Sequence, residues 1–240
     1  MQFIHPAWPA PFNVHSMVTT RMGGISQPPF DSFNLAGHVG DVPEFVAANR
    51  ALLRKHCPAE PMWLNQVHGN IVALADDIDS LVDADASVSF KPGTVCVVLT
   101  ADCLPVLFCD RKGTRVAAAH AGWRGLAAGV LEASINAMQC EPCDILAWMG
   151  PAIGQKAFEV GDDVRDVFIR DLAESEAAFL PAQPGKWVAD IYQLARLRMK
   201  RAGVVNVYGD GFCTYTDSKR FFSFRREGKT GRMATLIWRD

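Results

Sequence analysis

Three residues stand out as able to do chemistry together: His68 in WLNQVHGN, Cys103 in LTADCLP and His120 in AAAHAGWRG. Two imidazoles and a thiolate form a borderline-soft donor set that suits zinc. Three protein ligands leave the fourth tetrahedral position open, which is the catalytic rather than the closed structural arrangement. The three are separated by 34 and 16 intervening positions, and no short ligand motif joins them, so spacing alone also allows three unrelated strand-end residues. A second chemistry uses the same side chains: Cys103 and His120, 17 positions apart, could meet as nucleophile and base of a cysteine hydrolase. Copper oxidation fits poorly, because a type 1 centre with a trinuclear cluster needs on the order of ten histidines, mostly in His-x-His pairs. The chain has six histidines and no such pair.

Each of the three residues sits where an element ends. His120 closes the strand-like VAAAH and precedes a glycine-flanked turn into a helix beginning near Leu126. Cys103 follows the apolar run CVVLT in the turn ADCLP, where Pro105 is expected to prevent regular pairing and Asp102 adds a carboxylate. His68 lies between a polar Asn-Gln pair and a glycine, as in a loop that presents one side chain to a cleft. Helical spacing puts Leu126, Val130, Ala133 and Ala137 on one face, Val164, Phe168 and Leu172 on another, and Ile191, Leu194, Ala195 and Met199 on a third. A fourth helix is expected from Pro43 to His56, with Phe45, Ala48 and Leu52 inward. KRFFSFRREG and RMATLIWR read as two strands across a Gly-containing turn. Strands that come in runs, rather than alternating with helices, predict an α+β fold. We expect mixed or antiparallel β-sheets with helices packed outside, in a single compact domain over residues 1–240.

A chain of 240 residues with 49% hydrophobic content can bury one large core. Lys plus Arg total 24 against 26 Asp plus Glu, so a formal charge of -2 gives no broad reason to expect nucleic acid or an anionic membrane as partner. A small neutral or singly anionic ligand fits better. The N-terminal segment has no basic and apolar leader pattern, and no stretch offers the roughly 18 apolar residues of a membrane span, so a cytoplasmic location is expected. Seven cysteines, several inside apolar segments, suit reduced thiols. The Cys140/Cys143 C-x-x-C lacks a matching second pair and is read as a surface connection.

The segments TTRMGGISQPPFDSFNLAGHVGD, WLNQVHGN, DADASV, LTADCLPVLF, AAAHAGWRGLAAGVLE, AWMGPAIGQKAFEVGDDV and CTYTDSKRFFSFRREGKTGRMATLI follow one another from Thr19 to Ile237. In that order they resemble the family variously called multicopper polyphenol oxidase or laccase-like, peptidoglycan editing factor, and laccase-domain purine nucleoside phosphorylase. The resemblance implies a catalytic zinc on His68, Cys103 and His120, with copper as an adventitious occupant. It implies phosphorolysis of adenosine, inosine, guanosine and methylthioadenosine, together with adenosine deamination. The alternative it implies is hydrolysis that removes misplaced amino acids from muramic acid cell-wall precursors, by zinc-bound water or by the Cys103/His120 pair.

For a purine nucleoside and phosphate, Asp102 could shuttle a proton to the ring or simply fix its turn. Arg124, at a helix start, and Arg21, Arg225 and Arg232, in motif segments, could hold an oxyanion. Asn34 and Gln66 could bond ribose hydroxyls or the purine edge. Trp123 or Phe222 could stack on the base, with core packing the alternative for Trp123. Glu159 reads as a cap for the helix near Gly161. His5, His15, His38 and His56 carry no assignment.

Overall fold

Alternation along a few central strands decides the architecture. In the computed structural model, which describes residues 1–77 and 80–240, Val95, Val97 and Leu99 share one face of a strand and Cys96 and Val98 the other, all of them buried. That strand, β6 (Val95–Thr100), lies in a five-stranded sheet with β1 (Phe3–Ile4), β2 (Val14–Thr19), β3 (Pro61–Met62) and β14 (Met233–Arg239), in the order β1-β2-β14-β6-β3. Only β3 runs parallel to its neighbour. A six-stranded sheet contains β4 (Val72–Leu74), β5 (Ala86–Ser89), β7 (Leu104–Asp110), β8 (Val116–Ala121), β9 (Ile145–Met149) and β13 (Asn206–Gly209), in the order β13-β9-β7-β8-β5-β4. Its centre is antiparallel and both of its edges are parallel. β10 (Glu159–Gly161), β11 (Phe179–Pro181) and β12 (Lys186–Ala189) form a small antiparallel sheet.

The two large sheets stack face to face. Cys96, Val98 and Ile237 of one meet Leu107, Ala118 and Trp148 of the other. The opposite face of the six-stranded sheet, with Val106, Phe108, Ala117 and Ala119, is covered by α2 (Trp123–Ala127), α3 (Val130–Ala137), α4 (Asp162–Asp171) and α5 (Ile191–Arg201). Val97, Leu99 and Leu236 pack instead under α1 (Pro43–Arg54), whose Leu53 is fully buried. A leucine so placed contributes about 1.5–3 kcal/mol of burial free energy. The chain is thus α+β, with mixed and antiparallel sheets and helices outside. Among the described residues no helix is long and apolar enough to cross a membrane.

Four local expectations are corrected. α1 turns inward on Val46, Asn49 and Leu53, not on Phe45, Ala48 and Leu52. The Asn49 side chain donates to Ser26 Oγ and the carbonyls of Ser32 and Asn34 and accepts from the Ile25 amide, so a polar anchor sets the buried face. The helix expected after Gly125 is split into α2 and α3 by Gly129, at φ 91°, a left-handed conformation that ends one helix and opens the next. KRFFSFRREG is not a strand. Phe221 and Phe222 are both fully buried rather than alternating, and the Ser223 hydroxyl accepts from the Arg226 amide to start the short helix α6 (Phe224–Glu227). Pro105 lies inside β7, opposite His120, because its carbonyl still accepts from the Gly150 amide and the missing N–H is tolerated next to the strand's first residue.

Candidate functional site

Strand parity aims two of the three candidate ligands. His120 has the parity of Val116 and Ala118, which face the layer between the sheets, and Cys103 has that of Leu107 and Cys109 across the β7/β8 pair. Asp85, fully buried just before β5, completes the arrangement. One carboxylate oxygen accepts from the Nδ1 of His120 at 2.8 Å and from the His68 amide at 2.9 Å; the other accepts from the amides of Val67 at 3.2 Å and Gly69 at 2.6 Å. The loop is thereby bent until His68 takes a positive φ of 62°. A carboxylate only accepts, so Nδ1 of His120 keeps its proton and Nε2 is the nitrogen turned to the site, its lone pair available once a bound metal takes the place of its proton.

The donor atoms of His68, Cys103 and His120 lie within 4.8 Å of one another, and the two rings meet edge to face at a centroid distance of 4.8 Å. Gly122 leaves room for this approach: a Cβ there would come within 3.0 Å of Cys103 Sγ and of the His68 ring and push against both. Two imidazoles, one thiolate, a tautomer fixed by a carboxylate and an exposed side at His68 together fit a borderline-soft divalent ion with an open coordination position. Among the described residues this is the only group of three or more His, Cys, Asp or Glu placed to hold a metal.

Burial pushes the Cys103 thiol up, but the facing His120 and His68 outweigh it and bring the group down to about 6. Burial likewise opposes the charged His120 ring, and Cys103 and Asp85 outweigh it, raising the ring to about 9. The metal-free chain should therefore hold Cys103 as thiolate at neutral pH. After chelation, iodoacetamide is expected to label Cys103 at a rate that is near its plateau at pH 7 and falls away below about 6, whereas burial raises Cys57 to about 11 and Cys96 and Cys109 to about 12 and keeps them silent. Mapping the adduct by mass spectrometry checks this. A midpoint above about 8 would show that the imidazoles do not hold the thiolate.

The three side chains open onto a cavity of about 290 Å³. Trp123, Ile153, Phe158 and Ile191 make an apolar wall, and His38, Arg225 and Arg232 bring cationic or polar groups to it.

The family described as multi-copper polyphenol oxidoreductase laccase matches residues 15–240. The chain belongs to this laccase-like family. It is 55% identical over 237 residues to a Pseudomonas aeruginosa protein named purine nucleoside phosphorylase, covering 98% of each chain. It is 53% identical to the Escherichia coli purine nucleoside phosphorylase YfiH, covering 99% of this chain and 98% of that one. The crystal structure of a Neisseria meningitidis protein of the DUF152 family superposes with a TM-score of 0.97 at 51% identity, over 100% of both chains.

Within this laccase-like chain the sequence-proposed residues divide. Gln66, Asp102, Arg225 and Arg232 line the cavity. Gln66 is clamped there, its amide donating to the Leu99 carbonyl at 2.9 Å and accepting from the Leu99 amide at 2.7 Å. Asp102, at φ 89°, accepts from Thr214 Oγ1 and from the Arg225 amide, each at 2.6 Å, and so ties the β6–β7 turn to the C-terminal segment. Arg21, Asn34 and Arg124 do not line it. Arg21 donates to Glu227 and to the carbonyls of Asp31 and Ser218. The fully buried Asn34 donates to Asp41 and the Ala36 carbonyl and accepts from the Ala36 and Arg232 amides. Exposed Arg124 lies over the Trp123 ring with its charge 4.4 Å from the centroid.

Phe222 is fully buried under Arg21 and offers no face to a ligand, whereas Trp123 both packs on the core and walls the cavity. Glu159 is exposed and caps nothing; the N-cap of α4 is Gly161, without a side-chain bond, and the Glu159 carbonyl accepts from Arg225. Sequence reasoning missed Asp85, His38 and, Trp123 apart, the apolar wall of Ile153, Phe158 and Ile191. For Asp85 a signal existed: a carboxylate in DADASV at the head of an apolar run must be paired when that run is buried.

Proposed function

We propose that the chain is a metal-dependent purine nucleoside phosphorylase that works in the cavity at His68, Cys103 and His120. The observation that carries this reading is the convergence of three donor atoms on the wall of a cavity whose other walls are apolar and cationic. The substrate class comes from the names of relatives that match nearly the whole chain. In phosphorolysis a phosphate oxygen bonds to the anomeric carbon, the glycosidic C–N bond breaks, and its electron pair leaves with the purine, which takes up a proton.

Zinc held by His68, Cys103 and His120 would supply Lewis acidity at the cavity wall. Asp85 keeps the His120 proton on Nδ1 and the ring aimed. Trp123, Phe158 and Phe224 offer faces to the purine, and the remaining amide hydrogen of the clamped Gln66 is available to a ribose hydroxyl or the base edge. Adenosine, inosine, guanosine and methylthioadenosine are assigned to the same cavity. So is adenosine deamination, for which Asp102 is the one carboxylate among the described lining residues.

A second reading is favoured by one observation. Cys103, His120 and Asp85 also form a nucleophile, base and orienting carboxylate in series, the arrangement of a cysteine hydrolase acting on an amide such as that of a muramic acid precursor. Phosphate separates the two. Metal-loaded protein given adenosine is expected to release adenine with phosphate present and to stop without it, as followed by chromatography of the free base. Adenine release indifferent to phosphate sinks phosphorolysis. Amide hydrolysis that survives chelation, with no nucleoside turnover, establishes the second reading.

A further inference from the structure

Four arginines were candidates for an anion site, and their bonds differ. Arg124 lies over the Trp123 ring and does not line the cavity. Arg21 is paired with Glu227 at 2.7 Å. Arg225 uses Nη1 and Nη2 on the carbonyls of Ala157 and Glu159. Arg232 is the exception. Of its guanidinium nitrogens only Nη1 donates to protein, to the carbonyls of Thr230 at 2.9 Å and Gly231 at 3.0 Å, and among the described residues it forms no ion pair. Nε and Nη2 have neither a protein partner nor complete burial, and Arg232 lines the cavity.

The backbone of this arginine is pinned. Its amide donates to Asn34 Oδ1 at 3.0 Å, and the preceding Gly231 passes so close to Phe222 that a Cβ would sit 2.7 Å from the ring. His38 lines the same cavity, and its ring makes no hydrogen bond among the described residues.

We propose that the Nε–Nη2 edge of Arg232, together with the His38 ring, forms an oxyanion subsite on the cavity wall beside the metal ligands. A guanidinium edge presents two parallel N–H groups whose spacing matches two oxygens of a phosphate or carboxylate. A half-buried cation with no ion-pair contact, Cys103 and Asp102 acting on it only from a distance, gains from such a partner more than a solvated one does. Burial, then Arg232, Arg50 and His68, hold His38 below the usual histidine range, so at neutral pH its ring is a neutral donor and acceptor rather than a competing cation. In the phosphorylase reading, on which this assignment rests, the occupant is inorganic phosphate. In the hydrolase reading the same chemistry would take a substrate carboxylate.

Calorimetric titration of inorganic phosphate into the metal-loaded chain is expected to show saturable binding. Arg232→Gln should weaken it about 10- to 100-fold and His38→Gln about threefold or more, while Arg232→Lys, which keeps the charge without the fork, should recover part of the loss. Acetate run alongside identifies the source: phosphate bound in preference to acetate assigns the co-substrate, and acetate bound with the same dependence on Arg232 assigns a substrate carboxylate. Both uphold the subsite. No anion binding to the wild type, or binding unchanged in the Arg232 and His38 variants, overturns it. Because the readout is binding, Arg232-dependent phosphate binding without phosphorolysis would sink the phosphorylase reading and leave the subsite standing.

Discussion

Replacing Cys103 by Ala is expected to leave a folded chain that no longer holds stoichiometric metal and that turns over purine nucleosides at least about 100-fold more slowly. The lower bound comes from comparison. Losing a residue that merely hydrogen-bonds a metal ligand costs roughly 10–100-fold in affinity or activity, and removing a ligand itself costs more. The fold should survive, because Cys103 is not among the buried apolar residues and its half-buried thiol faces the cavity. Circular dichroism, metal content by mass spectrometry and the adenosine assay read the three consequences separately. Retained metal with full turnover would show that the site has been misassigned. Retained metal with adenosine turnover lost would show that Cys103 serves the nucleoside reaction in some way other than as a metal ligand. Cys103→Ser sharpens the result, since a hydroxyl is a poor zinc ligand and a poor stand-in for a thiolate.

Much of the fold was legible because burial writes itself as period. The runs CVVLT and LPVLFCD alternate between two covered faces, and the inward residues Ile191, Leu194, Ala195 and Met199 of α5 fall where their spacing puts them. What was not legible has a common physical source: polar anchors inside the protein. Asn49 rotates α1 because four hydrogen bonds outweigh the apolar face, and periodicity scores such a residue as solvent-facing. Asn34 looked like a ligand-binding amide but serves the backbone of its own loop and of Arg232. His68, Cys103 and His120 could be nominated from residue type and strand ends, yet their approach to within 4.8 Å depends on β7 and β8 pairing with Pro105 opposite His120 and on a loop held by Asp85. DADASV signals that Asp85 needs a partner, but neither the identity of that partner nor the β7/β8 register leaves a local trace in sequence.

Asp85 is accordingly the residue whose replacement tests the assembly rather than the ligands. Its two oxygens each take two donors, the His120 ring and the His68 amide on one side and the Val67 and Gly69 amides on the other. In Asp85→Asn one of these pairs must face an NH₂ group, whichever way round the amide sits, so two donors, buried or half-buried, lose their acceptor. At about 1–3 kcal/mol for each unsatisfied group, a loss near 3 kcal/mol is expected, or a fall in melting temperature of roughly 5–10 °C for a chain of this size. Metal affinity should drop about 10- to 100-fold because His120 loses its carboxylate partner.

The pH dependence separates this from simple loss of packing. Burial pushes the Asp85 carboxyl up, and the bonds from His120 and the Gly69 and His68 amides outweigh it and hold it below the usual range. A depressed carboxylate contributes stability above its unfolded pKa near 3.9, and that contribution disappears as the pH falls through the lower folded value. Melting curves of the metal-free wild type and variant should therefore run parallel from neutral pH down to about 4 and converge only in stronger acid. A gap that stays constant into strong acid, or a variant that binds metal as tightly as the wild type, would mean that the carboxylate is a bystander and that His68 and His120 are aimed by packing alone.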